Sequence, residues 1–450
     1  MSEKKLNQED FRNYIKNVLF SPIPPSSIEK TDAQTGLIGL ELEVFSLRKD
    51  GDNLSPAQLY GGEDPLIDRL FAVSETHGGE AIYAGDPANK VIDKIKFQNG
   101  NYFHFEPGGQ IEIRTQPFAK TSELDNQIHL CKNILSEITE TSHYRFAQTG
   151  TNPFFEGSVL KNQIQKPRYI RLEQYLNGLS PFGRQMMFQT CSLHINMDLG
   201  AEEMERFKRI AVANLLVPFA TALFANSSMI DGKPSALKSY RSYIWQQLDP
   251  LRTGILSLDK ALKSRDIDDL VLAYTEFALK APLIYIPEID HKTLPQSVTM
   301  AYWLAHSIDG IYPNRSHIEN HVSLLFPEVR IKNYLEIRSV DAPPAQWEII
   351  PVLFYAGLLY SESHLDKALN LLSPFAVRIQ DLHRKAVYGL ADEELFRVSK
   401  TLMELSMEGI SKLPEDDIDK TQAQKFLTFY ETITLQGKSF ADFGTKDLSI

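Results

Sequence analysis

The chain is expected to form a single α+β domain over residues 1–450, with a mainly helical C-terminal part from about residue 347. Short stretches far apart in the sequence alternate polar and apolar residues with the period of a half-buried strand. Between and after them, apolar residues recur at helical spacing. No internal repeat, low-complexity tract or linker divides the 450 residues, of which 43% are hydrophobic.

In chain order, Glu9 to Phe20 reads as a short amphipathic helix, followed by a proline-rich breaker at Ser21 to Ser27. Leu37 to Phe45 is a strand, with Glu41 and Glu43 on one face and Ile38, Leu40, Leu42 and Val44 on the other. Lys49 to Pro65, rich in Gly, Asp and Pro, is expected as a loop and Pro65 to His77 as a helix. A hairpin-like region leads to Tyr102–Thr115, where a Gly-Gly turn precedes a strand carrying Gln110, Glu112 and Arg114 opposite Ile111 and Ile113. Ser122 is a good N-cap for a helix that takes Cys131 into the core. Phe146 to Phe155 returns as a strand and turn, and Lys166 to Leu179 opens on the basic aromatic patch K-P-R-Y-I-R. The strand Thr190–Leu199 sets Ser192, His194, Asn196 and Asp198 against Cys191, Leu193 and Ile195. A helix resumes near Ala201, buried from Ile210 to Ala225 and too short to span a bilayer. Ser239 to Thr253 is expected to be loop-rich and to carry Arg241 and Arg252, followed by helices to about Ala305. The strand Tyr334–Ser339 places Glu336 and Arg338 on one face, and helices broken at Pro374 and Pro414 complete the chain.

A formal charge of -11 argues against a nucleic-acid or membrane surface, since anionic partners are normally met by basic patches. With only Cys131 and Cys191 there is no disulfide framework, and the N-terminal residues show neither a secretory signal nor an Arg-rich transit peptide. A cytoplasmic protein, monomeric or homodimeric, is expected.

One E-x-E pair on a strand is ordinarily a solvated face. Four segments that each set catalytic residue types against an apolar back are a different matter, because adjacent strands would pool them into one surface. Carboxylates that outnumber the bases beside them raise one another's pKa, so a cation is expected there, and neutralising Glu112 should stabilise the metal-free protein. Hard cations such as Mg2+ take oxygen ligands, which suits Glu41, Glu43, Glu112 and Glu336, with Glu106 as a further candidate. Cations bridging phosphates would make the face a phosphoryl-transfer platform, with arginines clamping anionic groups.

Several motifs carry a family resemblance: I-G-L-E-L-E-V-F, F-E-P-G-G-Q-I-E-I, Q-T-C-S-L-H-I-N-M-D-L, Y-R-S-Y-I-W, D-P-L-R-T-G-I-L and L-F-P-E-V-R-I-K-N-Y-L-E-I-R-S-V-D. In this order they resemble the plant and proteobacterial type of glutamate-cysteine ligase, within the glutamine synthetase superfamily. The resemblance implies a curved antiparallel sheet forming a funnel, surrounded by helices, that holds ATP and Mg2+ or Mn2+. It implies that Glu43 and Glu112, with Glu106 close by, serve a metal near the substrate carboxylate. Glu41, His194 and Glu336 would serve a metal on the nucleotide phosphates, with Gln110 and Asn196 also on the nucleotide side. Arg241, Arg252 and Arg338 would grip the amino acid or the transferring phosphate. The implied reaction phosphorylates the side chain of glutamate and joins it to an amine. T-G-T-N-P-F-F and S-V-D-A-P-P differ from the family near the acceptor side, which leaves the acceptor open between cysteine and another amine. A non-catalytic nucleotide- or amino-acid-binding relative is the third reading.

Overall fold

The computed structural model describes residues 5–22, 36–85, 90–290 and 292–444; most of the breaker at Ser21–Ser27 lies outside them. Ten strands form one sheet in which every pair is antiparallel. They are β1 (Ile38–Asp50), β2 (Asn53–Pro56), β3 (Gly79–Ala84), β4 (Val91–Phe97), β5 (Tyr102–Phe105), β6 (Ile111–Arg114), β7 (Tyr144–Ala147), β8 (Ser192–Asp198), β13 (Val329–Ile331) and β14 (Tyr334–Asp341). Two small pairs lie apart from it: β9 (Met229–Ile230) with β10 (Lys233–Pro234), and β11 (Thr253–Gly254) in parallel with β12 (Phe326–Pro327).

The order β13-β14-β8-β1-β6-β5-β4-β3 makes direct neighbours of the four strands whose alternation is visible in the sequence. Central β1 is longer than expected. Its first half pairs with β8 and β6, and its second half turns to β7 and β2. The loop expected at Lys49–Pro65 therefore contains a strand: Asn53–Pro56 folds back on β1 through a tight turn at Gly51, whose φ is +62°.

On the back of the sheet Leu40, Leu42, Ile111, Ile113, Leu193, Ile195, Leu335 and Ile337 are buried. Helix Glu203–Leu223 packs against β14, and helix Thr121–Thr141 packs against β1 and β7. Removing such a row from water stabilises by roughly 25 cal/mol per Å2 of apolar surface, and it fixes the register, because a one-residue slip would turn every side chain to the wrong face. Helix Thr121–Thr141 follows Lys120 and takes no cap from Ser122, a departure from the expected start. Helix Ile349–Leu359 is buried on all sides. No helix of the described residues is long and apolar enough to cross a membrane. Both cysteines are buried and free.

Candidate active site

Register does the assembling. Across β1 and β6, Glu43 stands opposite Glu112 and Glu41 opposite Arg114; across β1 and β8, Glu41 stands opposite His194. Across β8 and β14, Asn196 stands opposite Glu336, and across the β13–β14 hairpin Arg330 does so. A β-bulge then sets Arg338 and Ser339 together against the single residue His194, with Arg338 on the same face as Glu336 by strand alternation. The Glu106–Gln110 turn needs its glycines: Gly109 has φ +88°, and a Cβ on Gly108 would come within 2.8 Å of the Phe188 backbone.

These side chains line a cavity of about 400 Å3. Glu41, Glu43, Glu106, Gln110, Glu112, His194, Arg241, Glu336 and Arg338, all expected from the sequence, are brought together there. Asn196 lines a neighbouring, more apolar cavity of about 220 Å3, walled by Tyr102, Tyr334, Pro117 and Met197, and donates to Glu41 Oε1 at 3.1 Å. The two cavities meet at Glu41 and Arg114, which line both.

Arg252 is not brought to the site. The stretch expected to be loop-rich contains helix Tyr240–Gln246, and Arg252, beyond it, is fully buried. Its guanidinium donates to the backbone carbonyls of Leu324, at 2.5 Å, and Pro282. It braces the cavity wall from behind, because Leu324 lines the cavity and Arg252 does not. Arg241 does line it: its Nη2 donates to the Arg338 carbonyl at 2.8 Å, and Nη1 lies 3.7 Å from Asp341.

The expected excess of carboxylates is also corrected. Glu41, Glu43, Glu106, Glu112 and Glu336 face Arg114, Lys166, Arg168, Arg241, Arg330, Lys332 and Arg338, five acids against seven bases. Of the additional bases, Arg330 lies on β13 and Lys332 in the turn after it, while Arg168 lies on helix Pro167–Leu179 and Lys166 at its N-cap. Arg330, Lys332 and Arg168 sit in motifs visible in the sequence, but only the hairpin and helix geometry aims them inward. His104 is a further addition, since its register partner across β5–β6 is Glu112.

Charge is distributed unevenly. Burial would raise the Glu336 carboxyl, but Arg330, Lys332 and Arg338 hold it well below the usual carboxylate range. Arg338 Nη1 donates to it at 2.6 Å, Lys332 donates to its other oxygen, and Arg330 Nη1 stands 3.3 Å away. Arg338 also lies over Trp245 and Phe326, 5.5 and 6.0 Å from their centroids. Glu112 is likewise held down: burial opposes ionisation, but Arg114 at 2.5 Å and His104 outweigh it. Glu43 and Glu106 are raised to about 7, first by burial and then by Glu112. Among the described residues Glu43 accepts only from Ser192, through its N–H at 2.7 Å and Oγ at 2.9 Å. His194 is lowered by burial and by Arg338, so it is neutral at pH 7 and has a lone pair to offer.

Among the described residues, two groups have ligand atoms close enough to share a cation: Glu41, Glu112 and His194, all buried, and His104, Glu106 and Glu112. Among the described residues, Gln110 Oε1 and Asn196 Oδ1 are buried with no hydrogen-bond partner, so each has capacity left for a ligand. Carboxylate oxygens with one neutral imidazole make a donor set for a divalent cation.

The family model described as glutamate-cysteine ligase family 2 (GCS2) matches residues 37–437. The chloroplastic glutamate–cysteine ligase of Medicago truncatula is 31% identical over 388 residues, 83% of this chain and 72% of that one. The chloroplastic enzyme of Arabidopsis thaliana is 28% identical over 390 residues, 85% and 70% of the two chains. Among solved structures, a glutamate–cysteine ligase from Francisella tularensis in complex with AMP aligns with TM-score 0.47 and 13% identity over 90% of this chain and 89% of that one. The matched plant enzymes are chloroplastic, which overturns the cytoplasmic placement expected from the sequence.

Proposed function

This chain belongs to glutamate-cysteine ligase family 2 and is an ATP-dependent ligase; we propose that it forms γ-glutamylcysteine from L-glutamate and L-cysteine through a γ-glutamyl phosphate. One observation carries the reading: a single cavity presents carboxylates for cations and arginines for anions side by side. A nucleotide polyphosphate and a zwitterionic amino acid together need both.

Glu41, Glu43, Glu106, Glu112 and His194 would hold divalent cations, Mg2+ or Mn2+. Bound there, such cations neutralise charge on the transferring phosphoryl group. Arg338 and Arg330, held in place by Glu336 and the aromatic wall, present planar donors to the phosphate or to the carboxylate under attack. Arg241, tied to the Arg338 carbonyl and near Asp341, extends that wall toward the amino acid. The apolar second cavity suits the nucleotide base, with Tyr102 and Tyr334 for ring contacts and Asn196 for a polar one. Polyphosphate would then cross the junction at Glu41 and Arg114. An acyl phosphate is reactive once made, so burial and positioning supply much of the remaining catalysis by keeping water from it.

Hydroxylamine tests the reading. With ATP, Mg2+ and L-glutamate it should trap the intermediate as γ-glutamyl hydroxamate, and added cysteine should suppress that product as γ-glutamylcysteine grows. Hydroxamate that cysteine does not suppress would refute cysteine as the acceptor. Neither product with glutamate, while another acid is activated, would refute the glutamate assignment.

A further inference from the structure

We propose that Arg114 is a built-in counterion that bridges Glu41 and Glu112 in the free enzyme and yields those carboxylates to the divalent cation when the nucleotide arrives. The inference rests on the cation and nucleotide reading above and adds an exchange to it.

One guanidinium spans both acids, with Nε 2.5 Å from Glu112 Oε2 and Nη2 3.4 Å from Glu41 Oε2. Those two carboxylates belong, with His194, to the buried group whose ligand atoms lie within 4.8 Å of one another. A divalent cation cannot take the same oxygens while the guanidinium holds them, because the two positive charges would compete for one pair of partners at contact distance. The other arginines are not placed to compete. Arg338 is committed to Glu336, and Arg241 to the Arg338 carbonyl.

Arg114 is also free to leave. Its side chain is 27% exposed, and among the described residues its hold beyond the carboxylates is on Tyr102, through a hydrogen bond to the hydroxyl at 3.3 Å and the ring 5.8 Å away. It lines both cavities, so a side-chain rotation without strand movement carries the guanidinium toward whatever crosses between them. A polyphosphate there offers a better partner than carboxylates that a cation has just claimed. The exchange makes nucleotide and cation binding mutually reinforcing, because each removes the obstacle to the other.

The test is Mn2+ binding to the full chain, read by the paramagnetic resonance signal of free Mn2+, with and without a non-hydrolysable ATP analogue. In the wild type the analogue should tighten Mn2+ by about tenfold, within the usual range of such coupling. Arg114→Gln should bind Mn2+ several-fold more tightly without the analogue, bind the analogue more weakly, and lose most of the coupling. Mn2+ binding that is unchanged or weaker in a folded Arg114→Gln protein overturns the exchange. Should that variant fail to fold, Arg114→Lys replaces it: an ammonium cannot span both carboxylates, so Mn2+ must bind more tightly than in the wild type, and equal or weaker binding overturns the proposal. A wild type that binds no Mn2+ even with the analogue refutes the cation reading itself, a different failure from either of these.

Discussion

The two flanks of the acidic face solve the same electrostatic problem in opposite ways. At Glu336 the buried carboxylate is surrounded by Arg330, Lys332 and Arg338 and is ionised far below neutral pH. At Glu43 and Glu106 burial and the neighbouring Glu112 raise the carboxyls to about 7, and among the described residues Glu43 accepts hydrogen bonds only from Ser192. The protein supplies its own cations on the first flank and leaves a deficit on the second. On the proposed reading a divalent ion would have most to gain beside Glu43 and Glu106, whereas the arginines of the Glu336 flank would suit anions. An acidic residue on a strand face therefore says little until its partners across the register are known.

The largest effect is expected at the junction between the flanks. Glu112→Gln should lower turnover on the order of 10²- to 10³-fold at saturating Mg2+, as removal of a group aimed at transition-state charge does. It should also destabilise the metal-free protein, contrary to what an unbalanced acidic face implies, because Arg114 and His104 lose their partner. Steady-state rates and thermal melting check both halves, and turnover near wild type would remove Glu112 from the site.

Next comes the paired flank. Glu336→Gln strands three bases, two of them nearly buried, and should cost about 3–5 kcal/mol in urea unfolding, the range for breaking a buried pair from one side. If the loss is no larger than for a surface acid, the flank is not held by that pairing. Arg338→Lys keeps the charge but loses the planar fork, so kcat should fall by more than the KM for ATP rises. A rise in KM alone would place Arg338 in ground-state binding.

The smallest effect has the opposite sign. Glu106→Gln removes a partly exposed charge whose pairing with His104, at 3.9 Å, does not offset burial and the neighbouring Glu112, and should stabilise the metal-free protein at pH 8 by less than about 1 kcal/mol, given solvent screening. A carboxyl raised from 4.5 to about 7 binds its proton more tightly folded than unfolded, so its contribution to stability is present below pH 4.5 and is lost as pH rises to 7. Glu112 and Glu336 are lowered, so their contribution is present above 4.5 and is lost in acid. Metal-free melting temperature should therefore decline between about pH 5 and 7, less steeply in Glu106→Gln. A decline as steep in that variant would mean that other groups cause it.

The sheet was legible because its alternation is strict: an apolar row of Leu40, Leu42, Ile111, Ile113, Leu193 and Ile195 can be buried in only one register, and that register aligns Glu41, Glu43, Glu112 and His194. The bases were less so. Arg330 and Lys332 alternate just ahead of the β14 strand, but their aim depends on a hairpin whose turn residue Asn333 has φ +56°, and R-x-K followed by Asn is a weak signal for that. Arg168 depends on how its helix docks, which local sequence does not encode. Arg252 shows the converse: an arginine in a motif is as suitable for bracing backbone carbonyls as for holding substrate, and only its place in the fold, behind the cavity wall on the Leu324 and Pro282 carbonyls, separates the two.

Proton release on cation binding tests the two-flank account most directly. Titrating metal-free enzyme with Mn2+ at pH 6, in buffers of different ionisation enthalpy, measures by calorimetry how many protons leave per cation. If the cation enters beside Glu43 and Glu106, both raised to about 7, up to about two protons should be released, falling by about one in Glu106→Gln and unchanged in Lys332→Gln, which alters only the paired flank. Binding without proton release, or release that Glu106→Gln leaves intact, would place the cation elsewhere and contradict the account.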